Sequence, residues 1–292
     1  MWYNGGIEGR RPVMKHFRKI YLEISNICNL NCSFCPGTRR SKRWMTTAEM
    51  AQLLPKLRDW TDHLYFHLMG EPLLHPHLEE FLQMAGDAGL KVILTTNGTL
   101  LPKRQELLLK SPALHKINIS LHAFEANDPD VPFETYLRGC MAFGQAAQGA
   151  KLVTYRLWND GGLDEKNGAI LDTLHQHFPG QWVRERRGIR MGQRVYLEHG
   201  EKFDWPDLSA ADGGRRVFCY GLRDQIGVLA DGTVVPCCLD HEGDLALGNL
   251  YQQELKDILD SPRAKAIYDG FSRGEAAEEL CRKCGYARRF QK

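Results

Sequence analysis

The sequence predicts an α/β protein, a partial (β/α)6 barrel followed by a small C-terminal appendage that bears cysteines. Three observations predict it. Apolar strand-like runs alternate with amphipathic helical runs across residues 19–200, as βα units with parallel strands require. Six such units are present, short of the eight that close a barrel. Beyond Pro206 the alternation gives way to a hairpin signal and short cysteine-bearing segments.

The elements follow in order. Lys19 to Ser25 reads as the first strand. A helix starts after Thr46, where Thr46-x-x-Glu49 forms a capping box, and Pro55 is expected to kink it. His63 to Met69 is the second strand, and His77 to Ala88 is a helix stopped by Gly89. Next come strand Lys91 to Thr96, helix Pro102 to Lys110, strand Lys116 to Leu121 and helix Phe133 to Gln148. Strand Lys151 to Leu157, helix Glu165 to His177 and a weak strand within Trp182 to Leu197 complete the series. In the appendage, Asp231-Gly232 between Gln225–Ala230 and Thr233–Pro236 marks a hairpin, and a helical stretch begins at Gln252. This divides the chain into an extension (1–17), the barrel (18–200) and the small domain (201–292). Cys140, inside a helix, reads as a small core residue.

Composition narrows the function. Charged residues make up 25% of the chain, and 38 Lys plus Arg face 36 Asp plus Glu, a net charge of only +2. A general nucleic-acid or membrane-surface binder would carry a basic surplus, so neither partner is expected. No run approaches the ~18 apolar residues of a membrane span, and Met1 to Pro12 holds no apolar run suited to a signal peptide. The chain is therefore expected in the cytoplasm, where its nine cysteines stay reduced. Reduced thiols at short, regular spacing point to metal rather than to disulfides.

The first group is Cys28-Asn-Leu-Asn-Cys32-Ser-Phe-Cys35, in the loop after the first strand. Loops at the carboxyl ends of strands are where α/β folds place their chemistry. Three thiolates can ligate three irons of a cubane and leave the fourth open. A zinc site is the alternative, but a structural zinc wants four protein ligands and this loop offers three.

This spacing is the signature of the radical S-adenosylmethionine superfamily, which the first 200 residues or so resemble. The resemblance implies a partial (β/α)6 barrel, a [4Fe–4S] cluster on Cys28, Cys32 and Cys35, and S-adenosylmethionine at the open iron. It implies an electron passing into the sulfonium, giving methionine and a 5′-deoxyadenosyl radical that takes hydrogen from substrate, with a donor such as flavodoxin or ferredoxin. Phe34 stands where the family has an aromatic. Met69-Gly70-Glu71-Pro72 resembles the family's Gly-Gly-Glu motif, with Met69 replacing the first glycine, so Gly70 and Glu71 are implied to receive the methionine amino group. Thr96-Asn97-Gly98 ends the third strand, and Ser120 and His122 share one face at the end of the fourth. Asn97 and Ser120 are implied to meet the ribose or carboxylate, and Arg156 is suited to clamp a carboxylate. His67, His75 and His77 read as structural, and no catalytic acid or base is assigned.

The second group lies in the appendage. Cys219-x12-Gly232-x4-Cys237 and Cys281-x2-Cys284 supply four thiolates, which on spacing alone suit a closed cluster or a zinc ribbon equally. The pattern resembles the auxiliary-cluster domains of the same superfamily, the SPASM and twitch types. Five cysteines here limit the chain to one auxiliary [4Fe–4S] cluster, as in the twitch type, and leave Cys238 spare.

The resemblance implies a small-molecule substrate. A twitch-type relative that oxidises an amino-cyclitol shares the cysteine layout, and other small members cleave modified nucleosides, releasing a base such as queuine. Peptide modification is an alternative, although the 18 residues before Lys19 are too few for a peptide-docking domain. A zinc-ribbon interaction protein is the non-enzymatic alternative. Arg39, Arg40, Lys42 and Arg43 form one basic run, and Arg184, Arg186, Arg187 and Arg190 another. If both border the barrel opening they suit a phosphorylated substrate.

Overall fold

The computed structural model describes residues 17–127 and 131–289, so the extension expected at 1–17 lies outside the described residues apart from Phe17. The barrel unfolds in order as β1 (Lys19–Leu22), α1 (Thr47–Leu57), β2 (His63–Tyr65), α2 (Leu78–Asp87), β3 (Lys91–Thr96) and α3 (Leu101–Lys110). It continues with β4 (Leu114–Ser120), α4 (Phe133–Ala147), β5 (Leu152–Asp160) and α5 (Asn167–His177). Then come β6 (Val183–Glu185), β7 (Gly188–Gly192) and β8 (Val195–Glu201). The appendage adds β9 (Gln225–Val228), β10 (Thr233–Val235) and β11 (Gly248–Asn249), followed by α6 (Leu255–Leu259), α7 (Pro262–Ser272), α8 (Glu279–Arg282) and α9 (Gly285–Arg288).

Local signals explain the helix ends. The Thr46 hydroxyl accepts from Glu49 N at 3.2 Å while the Glu49 carboxylate accepts from Thr46 N at 2.8 Å, closing the capping box. Pro55 lies within the last turn of α1, where one backbone bond is lost and the helix runs on to Leu57. Gly89 adopts φ +77° after α2, and Leu90 N donates to Ala85 O at 2.9 Å, which makes the stop a Schellman motif.

Among the described residues eleven strands form one sheet, ordered β11-β10-β9-β1-β2-β3-β4-β5-β8-β7-β6. The run β1-β2-β3-β4-β5-β8 is parallel throughout and supplies the six barrel strands. The sixth strand is β8, later than expected, because residues 183–192 form an antiparallel hairpin that pairs onto its outer edge. The second strand ends at Tyr65 rather than Met69, since His67 N turns back to Tyr65 O at 2.8 Å. The predicted hairpin forms as β9–β10, and β9 pairs in parallel with β1, Lys19 opposite Gln225 through Leu22 opposite Val228. Near residue 200 the connectivity changes but the sheet does not break.

The two sheet faces differ in chemistry. Ile20, Leu22, Leu64, Phe66, Val92, Leu94, Ile117, Ile119, Val153 and Tyr155 are buried in one core with Leu53, Phe81, Leu108, Met141 and Phe143 of the helices. The alternate positions carry Tyr21, Tyr65, Thr95, Lys116, Asn118, Arg156 and Glu198 toward the barrel lumen. A parallel sheet covered on both faces would be apolar on both. A polar lumen therefore marks the inner face as the place for a polar ligand. Cys140 is fully buried in α4, as a core residue. No helix of the described residues is long and apolar enough to cross a membrane.

Candidate active site

The loop from β1 to α1 carries Cys28, Cys32 and Cys35 at the carboxyl end of the barrel. Its base is closed by Asn26, which donates to Ser41 O at 2.9 Å and accepts from Arg43 N at 2.8 Å. Its tip is pinned from the β4–α4 loop. Asn127 donates through Nδ2 to the Cys32 sulfur at 2.9 Å and accepts from Asn31 N at 2.6 Å. The three thiols are near enough for Cys28 and Cys35 to act electrostatically on Cys32. Burial pushes all three thiols up, Cys32 to about 11. Three thiolates side by side need positive charge to stay ionised, which an iron cluster supplies.

The end of β2 is held against this loop by an unusually close approach. Gly70 has φ +77°, and a Cβ there would lie 2.5 Å from Ser25 O and 2.9 Å from Ile27 O. Glu71 follows and points inward. Its carboxylate accepts from Leu73 N at 2.9 Å, from the Thr96 hydroxyl at 2.8 Å and from Asn97 N at 2.8 Å. Burial raises it to about 7 against the pull of these donors. The side chain of Glu71 is thus occupied in joining the β2 and β3 ends. We propose that the methionine amino group is received at Gly70 and Glu71, as the resemblance implies. Asn97 is 8% exposed and reaches across to Asn29 Oδ1 at 3.0 Å and the Cys28 sulfur at 4.0 Å. Ser120 ends β4 in register with Arg156.

We propose that Arg156 clamps a carboxylate through its outer guanidinium nitrogens, Nε being engaged. Its Nε donates to Glu198 at 3.0 Å, its guanidinium lies 4.5 Å from the Trp158 ring, and Lys116 reaches the same Glu198 at 3.5 Å. Phe34 packs on His122 with ring centroids 4.9 Å apart. His122, lowered to about 4 by burial, stays neutral and contacts Arg156 O through Nδ1 at 3.0 Å.

The first basic run is only partly paired within the chain: Arg39 stays 87% exposed and lines a cavity with Ser33 and Phe34 of the cysteine loop. Arg40 pairs with buried Glu23 in bidentate fashion, at 2.8 and 2.7 Å, Arg39 approaches Glu242, and Arg43 pairs with Glu49. In the second run Arg190 pairs with Glu185, while Arg187 acts on His115 at the amino-terminal start of β4, the end of the barrel opposite the cysteine loop.

In the appendage Cys219, Cys237, Cys281 and Cys284 line one cavity of about 310 Å³ together with Lys19 of β1. That is room for a group far larger than one ion, since a water's share of the liquid is about 30 Å³. Burial pushes the Cys219 thiol to about 11 and raises the other three. Cys238 is absent from that cavity lining; it packs with Tyr21, Leu68, Met69 and Val235, on the barrel side, in a cluster that Cys35 also touches. Among the described residues no group of three or more His, Cys, Asp or Glu closes to single-ion geometry. A zinc draws its thiolates to about 2.3 Å from one point, whereas a cubane spreads them over separate irons.

A family model for the radical SAM superfamily matches residues 22–159, and one for an iron–sulfur cluster-binding domain, SPASM, matches residues 219–285. The chain belongs to the radical SAM superfamily. It is a radical SAM enzyme whose cofactors are S-adenosylmethionine, a [4Fe–4S] cluster at the radical site and an auxiliary iron–sulfur cluster in the C-terminal region. It is 23% identical over 278 residues to the S-adenosyl-L-methionine-dependent 2-deoxy-scyllo-inosamine dehydrogenase of Niallia circulans, covering 92% of this chain and 93% of that one. It is 31% identical over 116 residues to the AdoMet-dependent heme synthase of Methanosarcina barkeri, but spans only 33% of that protein. Its fold matches the crystal structure of BtrN in complex with AdoMet and 2-DOIA at a TM-score of 0.59 and 20% identity, over 92% of this chain and 93% of that one.

We propose that Cys28, Cys32 and Cys35 hold the radical-site cluster and that Cys219, Cys237, Cys281 and Cys284 hold the auxiliary one. Sequence reasoning missed Glu23, Asn127 and the polar lumen. The alternation of Lys19, Tyr21 and Glu23 with Ile20 and Leu22 along one strand was a signal for the first and the last. Asn127 gave none, because it is distant in sequence from the loop it pins.

Proposed function

We propose that this enzyme is a dehydrogenase that oxidises a secondary alcohol of a small polyol to a ketone, with the auxiliary cluster as acceptor of the second electron. One observation carries the reading. The four-cysteine cavity is built against β1, and Lys19 lines it while also lying 5.7 Å from the ring of Tyr65 in the lumen. β1 is thus a shared wall between the auxiliary cavity and the lumen. Coverage of nearly the whole of a cyclitol dehydrogenase, in both directions, supports the same reading.

When bound, the radical-site cluster and S-adenosylmethionine supply a one-electron cleavage whose product takes a hydrogen atom from carbon. The carbinol would lose three things in balance: a hydrogen atom from carbon to the S-adenosylmethionine-derived radical, a proton from the hydroxyl to water, and an electron to the auxiliary site. The chain holds the cysteine loop with Asn26 and Asn127, packs Gly70 and Glu71 against that loop for the methionine end, and keeps the lumen polar for the alcohol. A one-electron donor such as flavodoxin or ferredoxin supplies the first electron.

The test is isotopic. With a cyclitol deuterated at its carbinol carbons, deuterium should appear in 5′-deoxyadenosine as a ketone forms. Cleavage of S-adenosylmethionine with unlabelled 5′-deoxyadenosine and no ketone would remove the dehydrogenase reading.

A further inference from the structure

Among the described residues two buried side-chain atoms lack any hydrogen-bond partner, His67 Nδ1 and Asn118 Oδ1. Native proteins leave few such atoms, and each asks for a missing partner. These two are not scattered. His67 follows β2 and packs edge-on to Tyr21, and Asn118 lies on β4; both contact the hydroxyl of Thr95 on β3, at 3.3 and 3.2 Å.

That shared hydroxyl fixes the sense of the site. Asn118 Nδ2 donates to Thr95 Oγ1 and to Leu94 O, which leaves its Oδ1 as a bare acceptor. Thr95 has a single hydroxyl proton, and His67 Nε2 is the neighbour able to take it. The imidazole is neutral, lowered to about 3 by burial, so its proton sits on Nδ1. One donor and one acceptor on the lumen side of the sheet are therefore unpaired, both closed to water in the ligand-free chain. A hydroxyl satisfies both kinds, whereas an ammonium can only donate and a carboxylate or phosphate can only accept. The surrounding charge argues the same way against an ammonium. Lys19, Lys116 and Arg156 bear on this space with Glu198 as the carboxylate among them, and burial lowers Lys116 to about 8.

We propose that His67 and Asn118 are specificity-determining residues that bind the hydroxyls of an uncharged ring polyol in the barrel lumen. This rests on the dehydrogenase reading only in placing the substrate in that lumen.

The experiment uses the reconstituted holoenzyme with S-adenosylmethionine under anaerobic conditions, and scyllo-inositol and 2-deoxy-scyllo-inosamine as probes in equilibrium dialysis. The wild type should bind scyllo-inositol at least tenfold more tightly than the amine. His67→Phe and Asn118→Leu should each weaken scyllo-inositol binding at least tenfold, while His67→Gln, which keeps a donor, should stay within about threefold. The melting temperature without ligand should change little in His67→Phe, because the change removes an unsatisfied nitrogen along with the contact to Thr95. A merely structural histidine would give the reverse, lower stability with binding intact. Should His67→Phe lose its iron, Asn118→Leu decides alone. Failure of the wild type to bind scyllo-inositol, or wild-type affinity in Asn118→Leu, would overturn the proposal. Binding without ketone formation would leave it standing and refute the dehydrogenase reading instead.

Discussion

Glu23 offers the sharpest test of how the site is held together. Its carboxylate is fully buried, paired with Arg40 at 2.7 and 2.8 Å, and accepts from Met69 N at 3.3 Å and Ala230 N at 3.1 Å. One side chain thus ties the first barrel strand to the segment after the cysteine loop, to the end of β2 and to the appendage hairpin. Replacing it by Gln keeps the shape and removes the charge. The guanidinium of Arg40, only 14% exposed, would then be left without its counterion. Breaking one side of a buried pair costs about 3–5 kcal/mol. The new NH2 also opposes a donor wherever it turns, so a further backbone N–H loses its acceptor, a loss of about 1–3 kcal/mol that overlaps with the first. The expected total for Glu23→Gln is therefore about 4 kcal/mol, read from anaerobic urea unfolding of the holoenzyme. Adding Arg40→Met should recover part of it, since the unpaired charge is gone. A change of less than about 1 kcal/mol in Glu23→Gln would refute the argument, because it would mean that water or another group already satisfies Arg40.

Three further outcomes follow from the geometry. Gly70→Ala places a Cβ 2.5 Å from Ser25 O in a left-handed backbone, so S-adenosylmethionine affinity should fall more than tenfold in calorimetry while iron is retained. Glu71 has a folded pKa of about 7, above its ordinary 4.5, so the stability it contributes is full below about pH 4.5 and lost as pH rises through about 7. The shift is worth on the order of 3 kcal/mol, so without S-adenosylmethionine the wild type should lose that much between pH 5 and 8 relative to Glu71→Gln, and parallel profiles would contradict it. Cys237→Ser should lose about four irons and Cys238→Ser none, since Cys237 lines the four-thiol cavity and Cys238 stands outside it; reversed iron counts would show the ligands misassigned.

Much of this was legible in the chain because its signals are local. The capping box at Thr46, the stop at Gly89 and the Asp231-Gly232 hairpin each act within a few residues, and each formed as read. The sixth strand was misplaced because residues 183–192 carry strand character but fold back on β8, a choice made by tertiary pairing. The joining of β9 to β1 across more than 200 residues left no mark in either segment. The site divides in the same way. The cysteine spacings are local and group as expected, whereas the partners of Glu71, Arg40 and Arg156 come from other strands. A basic run such as Arg39 to Arg43 cannot reveal that its carboxylates lie at residues 23, 49 and 242. His67 looked structural because a lone histidine in a strand usually finds partners, and this one has a ring nitrogen with none.

The central claim is that an alcohol loses a hydrogen atom to the radical generated at the first cluster and an electron to the auxiliary cluster. It is tested most directly by counting products per turnover under anaerobic conditions, with reduced flavodoxin, S-adenosylmethionine and scyllo-inositol. The wild type should give 5′-deoxyadenosine and ketone in equal amounts. The double variant Cys281→Ala, Cys284→Ala should still form 5′-deoxyadenosine but almost no ketone, and Cys32→Ala should form neither while keeping the auxiliary iron. Full ketone yield in the double variant, or 5′-deoxyadenosine from Cys32→Ala, would contradict the account.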